Sequence, residues 1–170
     1  MKLKKYFLYL IIYSIGGFIL ERIINIIAYN EYLDNSILIG PYQPLYGSGV
    51  VIALIIYDLL ISKKITNKLL MNISLLITAI ATTAIVEAIT GYGFEFLYGN
   101  ILWDYSEFLP CNLYYVCWLP TSLFGIVSYL IIKYLHPIIE SYIKVIPTYL
   151  VYALFVVFGV DILVTFFFIL

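Results

Sequence analysis

Five apolar runs, at about 6–28, 44–61, 69–91, 113–135 and 148–170, divide this chain. Each reaches the roughly 20 residues that an α-helix needs to cross a hydrocarbon core of ~30 Å. Lipid offers a backbone N–H or C=O no partner, so such a run crosses as a helix whose peptide groups pair within the segment. The expected fold class is therefore all-α: a polytopic transmembrane helical bundle of about five spans, forming one integral membrane domain over residues 1–170. Composition agrees. The chain is 64% hydrophobic with a mean hydropathy of +1.05, and carries nine Lys or Arg against ten Asp or Glu, far less charge than a soluble domain. The first run follows "MKLKK", is too long for a signal-peptide core and lacks a small-x-small cleavage pattern, so it is expected to stay as an uncleaved span.

The few charges orient the bundle. Lys2, Lys4 and Lys5 precede the first span, Lys63, Lys64 and Lys68 fill the second connection, and Lys133 and Lys144 flank the end of the fourth span. The first and third connections hold no Lys and carry Glu31 and Asp34, and Asp104 and Glu107, respectively. A cytoplasmic N-terminus and an external C-terminus collect eight of the nine basic residues inside, as the positive-inside rule requires. Tyr29, Tyr32, Tyr42, Tyr98, Trp103, Tyr105 and Trp118 then gather near the outer ends as an aromatic belt. Heavy use of Ile, Asn, Lys, Tyr and Phe suggests an AT-rich bacterial genome, hence a plasma membrane. The lipid bilayer is the first partner, and basic residues confined to short clusters beside apolar runs leave no face for nucleic acid.

Between the first two spans lies "GPYQPLYGSG", Gly40 to Gly49. Its Gly and Pro content is poor material for a lipid-exposed helix. In the orientation above it lies at the outer surface and leads into the second span, where Pro44 suits a first helical turn because no amide partner is lost there. Gly40, Pro41, Pro44, Tyr46, Gly47 and Gly49 are expected to form a close-packed lead-in. Gly47 and Gly49 would let the third span, or a ligand, approach the backbone. Pro44 and Gly49 recur as Pro120 and Gly125, and Glu21 recurs as Glu95. Two readings stay open: a parallel repeat of two helix hairpins with the fifth span left over, and chance likeness between Leu/Ile-rich segments.

Three acids fall well inside spans: Glu21, Glu87 and Asp161. At the bilayer centre each charged acid costs ~2.5–3.5 kcal/mol on insertion scales, so such groups face the protein interior and mark sites by default. Glu21 shares a helical face with Asn25, and Glu87 with Thr83, Thr90 and Gly91. Glu95 and Asp104 extend this set outward, with Arg22 the one base nearby. A structural role pairs these acids with Arg22, Tyr hydroxyls and helix amides. A functional role makes Glu21, Glu87, Glu95, Asp104, Tyr105 and Asn112 an outward-facing site for a cation or polar substrate. Asp161, with Thr165 as its one polar neighbour, stands between the two roles. Asp58 reads as an interfacial charge and His136 as a helix-end residue. Cys111 and Cys117 could pair if the outer face is oxidising, and C-x5-C is no metal signature. There is no G-x-x-x-x-G-K-[ST] and no G-x-S-x-G, so neither P-loop ATP hydrolysis nor a recognised catalytic motif is read; no metal and no cofactor are expected.

The stretches "GGFILE", "GPYQPLYGSG" and "VEAITGYGFEFLYGNILWDYSEF" together resemble the small bacterial membrane proteins of the ABC-transporter type IV permease family, the CmpB-like proteins. The likeness covers about residues 6–140. Gly17 and Glu21, Gly40 to Gly49, Glu87 to Glu95, and Trp103 to Ser106 match its pattern, and His136-Pro137 fits its helix end. Two outer arginines of the family pattern are missing: Asp34-Asn35-Ser36 replaces N-R-G, and Tyr115-Val116 after Asn112 replaces G-R. The fifth span lies largely outside the likeness. The resemblance implies a permease-like transporter subunit, paired with a separate ATPase or homo-oligomeric. The alternatives are an intramembrane enzyme acting on a lipid or lipid-linked group through Glu87, Glu95 and Asp104, and a structural or regulatory partner of another membrane complex.

Overall fold

The computed structural model describes residues 2–30, 36–106, 111 and 113–169, with the backbone alone at 2, 28, 29 and 169. Glu31, Tyr32, Asp34, Asn35, Glu107 and Asn112, together with the Tyr29 side chain, lie outside the described residues. Five long helices account for the fold: α1 (Lys2–Tyr29), α2 (Pro44–Lys64), α3 (Lys68–Tyr98), α4 (Trp118–Ile143) and α5 (Thr148–Val164, continued by a π turn Thr165–Ile169). Among the described residues there is no strand. Every helix is long and apolar enough to cross a membrane, as the five runs require.

Two boundaries differ from the sequence reading. The third span was expected to stop at residue 91, where Gly91 and Gly93 follow Thr90, yet α3 runs on to Tyr98. Gly91 does not end the helix. A side chain there would collide with the Tyr115 ring, whose Cγ lies 2.3 Å from the position of its Cβ. The stop is made by Gly99, in the left-handed conformation at φ +70°, whose N–H returns to the Glu95 carbonyl at 2.8 Å in the usual glycine-terminated manner. The start of α3 is capped by Asn67, whose Oδ1 accepts from the Leu69 and Leu70 amides at 2.9 and 3.3 Å.

The fourth span was expected over 113–135, but α4 occupies Trp118–Ile143 and passes through His136-Pro137. A proline inside a helix lacks a donor and clashes with the carbonyl four residues before it. A π turn over Ile131–Leu135, closed by the His136 N–H on the Ile131 carbonyl, widens the helix there and accommodates the ring. His136 is consequently buried within α4, not at a helix end.

The helices pack as two compact units, one running from the N-terminus to Ser48 and resuming at Ile138, the other Gly49–Pro137. In the first, Ile11, Leu38, Tyr42 and Phe158 form a core flanked by Phe7, Leu10, Ile162 and Phe166. Phe158 meets Phe7 and Tyr42 edge-on, at centroid distances of 6.1 and 5.1 Å, a favoured arrangement for aromatic quadrupoles. The starts of α1 and α5 are tied by Lys4, which donates to the Ile146 carbonyl and Thr148 Oγ1, and Lys5 pairs with Glu140 at 2.5 Å. In the second unit α3 and α4 pack closely at Gly125, where an added Cβ would lie 2.6 Å from the Ile80 Cα.

Candidate functional site

The lead-in to α2 lies deeper than expected. The Gln43 amide donates to the Ser14 carbonyl at 3.0 Å, and Ser14 is at the middle of the span Leu3–Ile27. Non-helical backbone at that depth survives only where protein satisfies every peptide group. From Ile39 to Pro44 each donor has a partner. The Ile39 and Gly40 amides donate to the two Asp161 carboxylate oxygens at 3.0 and 2.8 Å, and Tyr42 N–H returns to the Gly40 carbonyl at 2.8 Å. Pro41 and Pro44 have no N–H to satisfy. The two prolines are thus suited to this depth, because each removes a donor that would otherwise need a partner.

Asp161 also accepts from the Tyr42 hydroxyl and from Thr165 Oγ1. Four donors surround it, and only 8% of the residue is exposed. Its role, open from the sequence, is structural: an anion from α5 that clamps the lead-in to α2. Burial and the neighbouring carboxylate hold the Tyr42 phenol protonated, well above the usual tyrosine range. Gly40 is required beside it, since an added Cβ would fall 2.3 Å from the Tyr42 ring.

Gly47 makes a close approach, but to α1 and not to the third span. Its Cβ position is 2.2 Å from Ser14 Oγ and 2.5 Å from the Leu10 carbonyl. Gly49 has only Thr83 Oγ1, at 4.0 Å, on α3. Tyr46 lies against Gly17, whose Cβ would sit 2.4 Å from the Tyr46 Cβ. One turn beyond Gly17, Glu21 accepts a hydrogen bond from Gln43 Nε2. Arg22, 8% exposed, stacks on Phe18 at 3.2 Å and donates to the Phe18 carbonyl, a cation–π contact in a desolvated setting.

The glycine and the glutamate of this arrangement recur 74 residues later, with a tyrosine from a different position of the connection. Gly91 carries the Tyr115 ring, and one turn beyond it Glu95 accepts from the Tyr115 hydroxyl at 2.9 Å. The helical segment Pro44–Ile56 followed by a π turn at Tyr57 matches Trp118–Leu130 followed by a π turn at Ile131. The offset is therefore 74 for the helices as well as for the glutamates, and Pro44 corresponds to Trp118, not to Pro120. Burial first, then the Glu95 hydrogen bond and charge, then Asp104, push the Tyr115 phenol up to about 12.

The candidate acids thus divide among several settings. Glu95 and Asp104 both act on Tyr115. Asp104 itself is exposed and caps a local turn, accepting from the Ser106 amide and hydroxyl at 2.7 and 2.9 Å. The Tyr105 amide donates to the Tyr114 carbonyl at 2.8 Å. Glu87, two turns before Glu95 and ~12 Å away along the helix axis, is 4% exposed and accepts from Thr121 Oγ1 at 2.5 Å. Glu21 belongs to the first unit with Gln43. Among the described residues, no three His, Cys, Asp or Glu side chains gather as a metal site would require. Tyr115, Thr121 and Gln43 were not singled out in the sequence as partners of these acids. Aligning the two hairpins at 74 would have pointed to Thr121, which then corresponds to Gly47 in the close contact between paired helices. Cys111 and Cys117 are joined by a disulfide.

Residues 8–166 match the family described as "Putative ABC-transporter type IV". The chain belongs to this family. The match runs through α5, so Asp161 lies within the ABC-transporter type IV region and not beyond it, as the shorter likeness over 6–140 implied. Membership and five apolar helices together make the chain a multi-pass membrane protein of ABC-transporter type. No curated protein and no solved structure matches it.

Proposed function

We propose that this chain is a permease-like subunit of a membrane transporter, with Glu87 as the polar centre of its path and a separate ATPase or further copies of itself as partner. The observation that carries the reading is the contrast between two buried carboxylates. Asp161 has four donors, whereas Glu87 has one hydrogen bond among the described residues, from Thr121. A buried carboxylate with one donor leaves most of its lone pairs uncompensated, and a proton or a cation is what completes such a group. Glu95 and Asp104 would lie on the outward approach to it. A cytoplasmic N-terminus and an external C-terminus are part of this proposal; the lysine distribution and a disulfide in the third connection support them, since such bonds persist in oxidising compartments.

Glu87→Gln keeps size and hydrogen bonding while removing the charge. Melting of the purified wild-type protein in mild detergent is expected to depend on pH and on added cations, and the variant is expected to fold normally while losing both dependences. A variant that melts with the wild-type pH and cation response would make Glu87 a packing residue and remove the centre of this reading.

A further inference from the structure

The third connection, external in the orientation proposed above, carries a disulfide that takes no part in the path through Glu87. The disulfide between Cys111 and Cys117, with Cα atoms 5.1 Å apart, encloses Tyr114 and Tyr115. Trp103 and Tyr105 hang on these two tyrosines. The Tyr114 carbonyl accepts from the Tyr105 amide and the Tyr115 carbonyl from Trp103 Nε1 at 3.1 Å. The Tyr115 ring, 1% exposed, meets Tyr92 and Trp103 at centroid distances of 4.7 and 5.8 Å. Its hydroxyl reaches Glu95.

The two sulfurs are not equivalent. Cys117 is 1% exposed and occupies the N-cap position of α4 with no side-chain cap bond, whereas Cys111 is only half-buried. Access favours attack at Cys111. The electron pair then leaves on Cys117, whose thiolate forms at the positive end of a long helix, where it is stabilised. A better leaving thiolate makes a disulfide easier to open.

We propose that Cys111–Cys117 is a redox latch on the outer connection, opened by an exported dithiol reductant through Cys111, and that opening it releases Tyr115 from Gly91 and Glu95. A thiolate of the dithiol attacks the Cys111 sulfur, the S–S bond breaks, and the Cys117 thiolate takes up a proton. The second thiol of the reductant then displaces Cys111 from the mixed disulfide. The reductant ends as a disulfide and the chain as two thiols, a transfer of two electrons and two protons.

Trp103 reports on the latch once Trp118→Phe removes the other tryptophan of the chain. In the purified full chain, dithiothreitol is expected to shift Trp103 emission to the red and to raise its quenching by acrylamide about twofold or more, as local opening exposes the ring. Emission and quenching unchanged after complete reduction, verified by mass, would overturn the latch. The Cys111→Ser, Cys117→Ser double variant is expected to match the reduced protein in either buffer; should it fail to fold, reduction of the native disulfide still reads the same quantity. Brief exposure to glutathione should place the mixed disulfide on Cys111 about tenfold over Cys117, and the reverse preference would overturn attack at Cys111. In intact cells, an impermeant reductant followed by an impermeant maleimide should label both cysteines. Labelling only after lysis would place the connection inside and exclude an exported reductant. None of these readouts involves transport, so their failure is distinct from a failure at Glu87.

Discussion

The two hairpins solve one problem in two ways. In each, a glycine on the first helix receives a tyrosine ring, at Gly17 and Gly91, and a glutamate one turn further takes a hydrogen bond from the connection. In each, the start of the second helix lies beside the first, near Ser14 and near Gly91, and irregular backbone must be held there. The first connection is held without a covalent bond, by two prolines, the Ser14 carbonyl and the Asp161 carboxylate of α5. The second is held by the Cys111–Cys117 bond and by hydrogen bonds from Trp103 and Tyr105 to backbone carbonyls. A shared helix geometry therefore does not dictate how its connection is stabilised. An anion fits where several N–H and O–H donors converge, and a covalent bond fits where the chain itself supplies the closure.

That contrast is breakable. The largest effect is expected from Asp161→Ala, which leaves two backbone amides and the Tyr42 hydroxyl without their acceptor in a buried setting. Each buried donor left unsatisfied costs about 1–3 kcal/mol, read together as a fall in thermal stability in detergent; a change within error would show that the lead-in to α2 does not depend on the clamp. A smaller and asymmetric effect is expected at the two glycines of α2. Gly47→Ala puts a methyl 2.5 Å from the Leu10 carbonyl, which cannot rotate away, and should destabilise by about 1–3 kcal/mol. Gly49→Ala has open space to 4.0 Å and should be neutral or stabilising by up to ~1 kcal/mol through helix propensity. Equal losses at both positions would mean that α2 packs differently.

The smallest effect concerns Tyr115. Its Tyr115→Phe variant removes one hydrogen bond to Glu95 and should lower stability slightly. The phenol is held up to about 12 in the folded protein against roughly 10 in an unfolded chain. The contribution of this bond is therefore complete below pH 10 and lost as pH rises through about 12. Stability curves of the two proteins should differ at neutral pH and converge over that interval. A constant difference up to pH 12 would remove the Tyr115–Glu95 bond as its source.

What the sequence determined by itself is what depends on local chain chemistry. Apolar run length dictates five helices, because the bilayer leaves the backbone no alternative. Pro44 marks the start of α2, because its missing N–H costs nothing in a first turn. The motifs at Gly17–Glu21, Gly40–Gly49, Glu87–Glu95 and Trp103–Ser106 together were sufficient to indicate the family. Partnership was not legible. Helical spacing reveals neighbours three and four residues away, so Asp161 showed only Thr165, while its other donors come from residues about 120 positions earlier. The end of α3 was placed short because an apolar run marks only the lipid-crossing part of a helix, whereas α3 continues past it through Glu95 to Tyr98. The depth of "GPYQPLYGSG", the structural role of Asp161 and the partners of Glu87 and Glu95 were decided by tertiary structure alone, because each depends on which groups from distant segments fill the same buried volume.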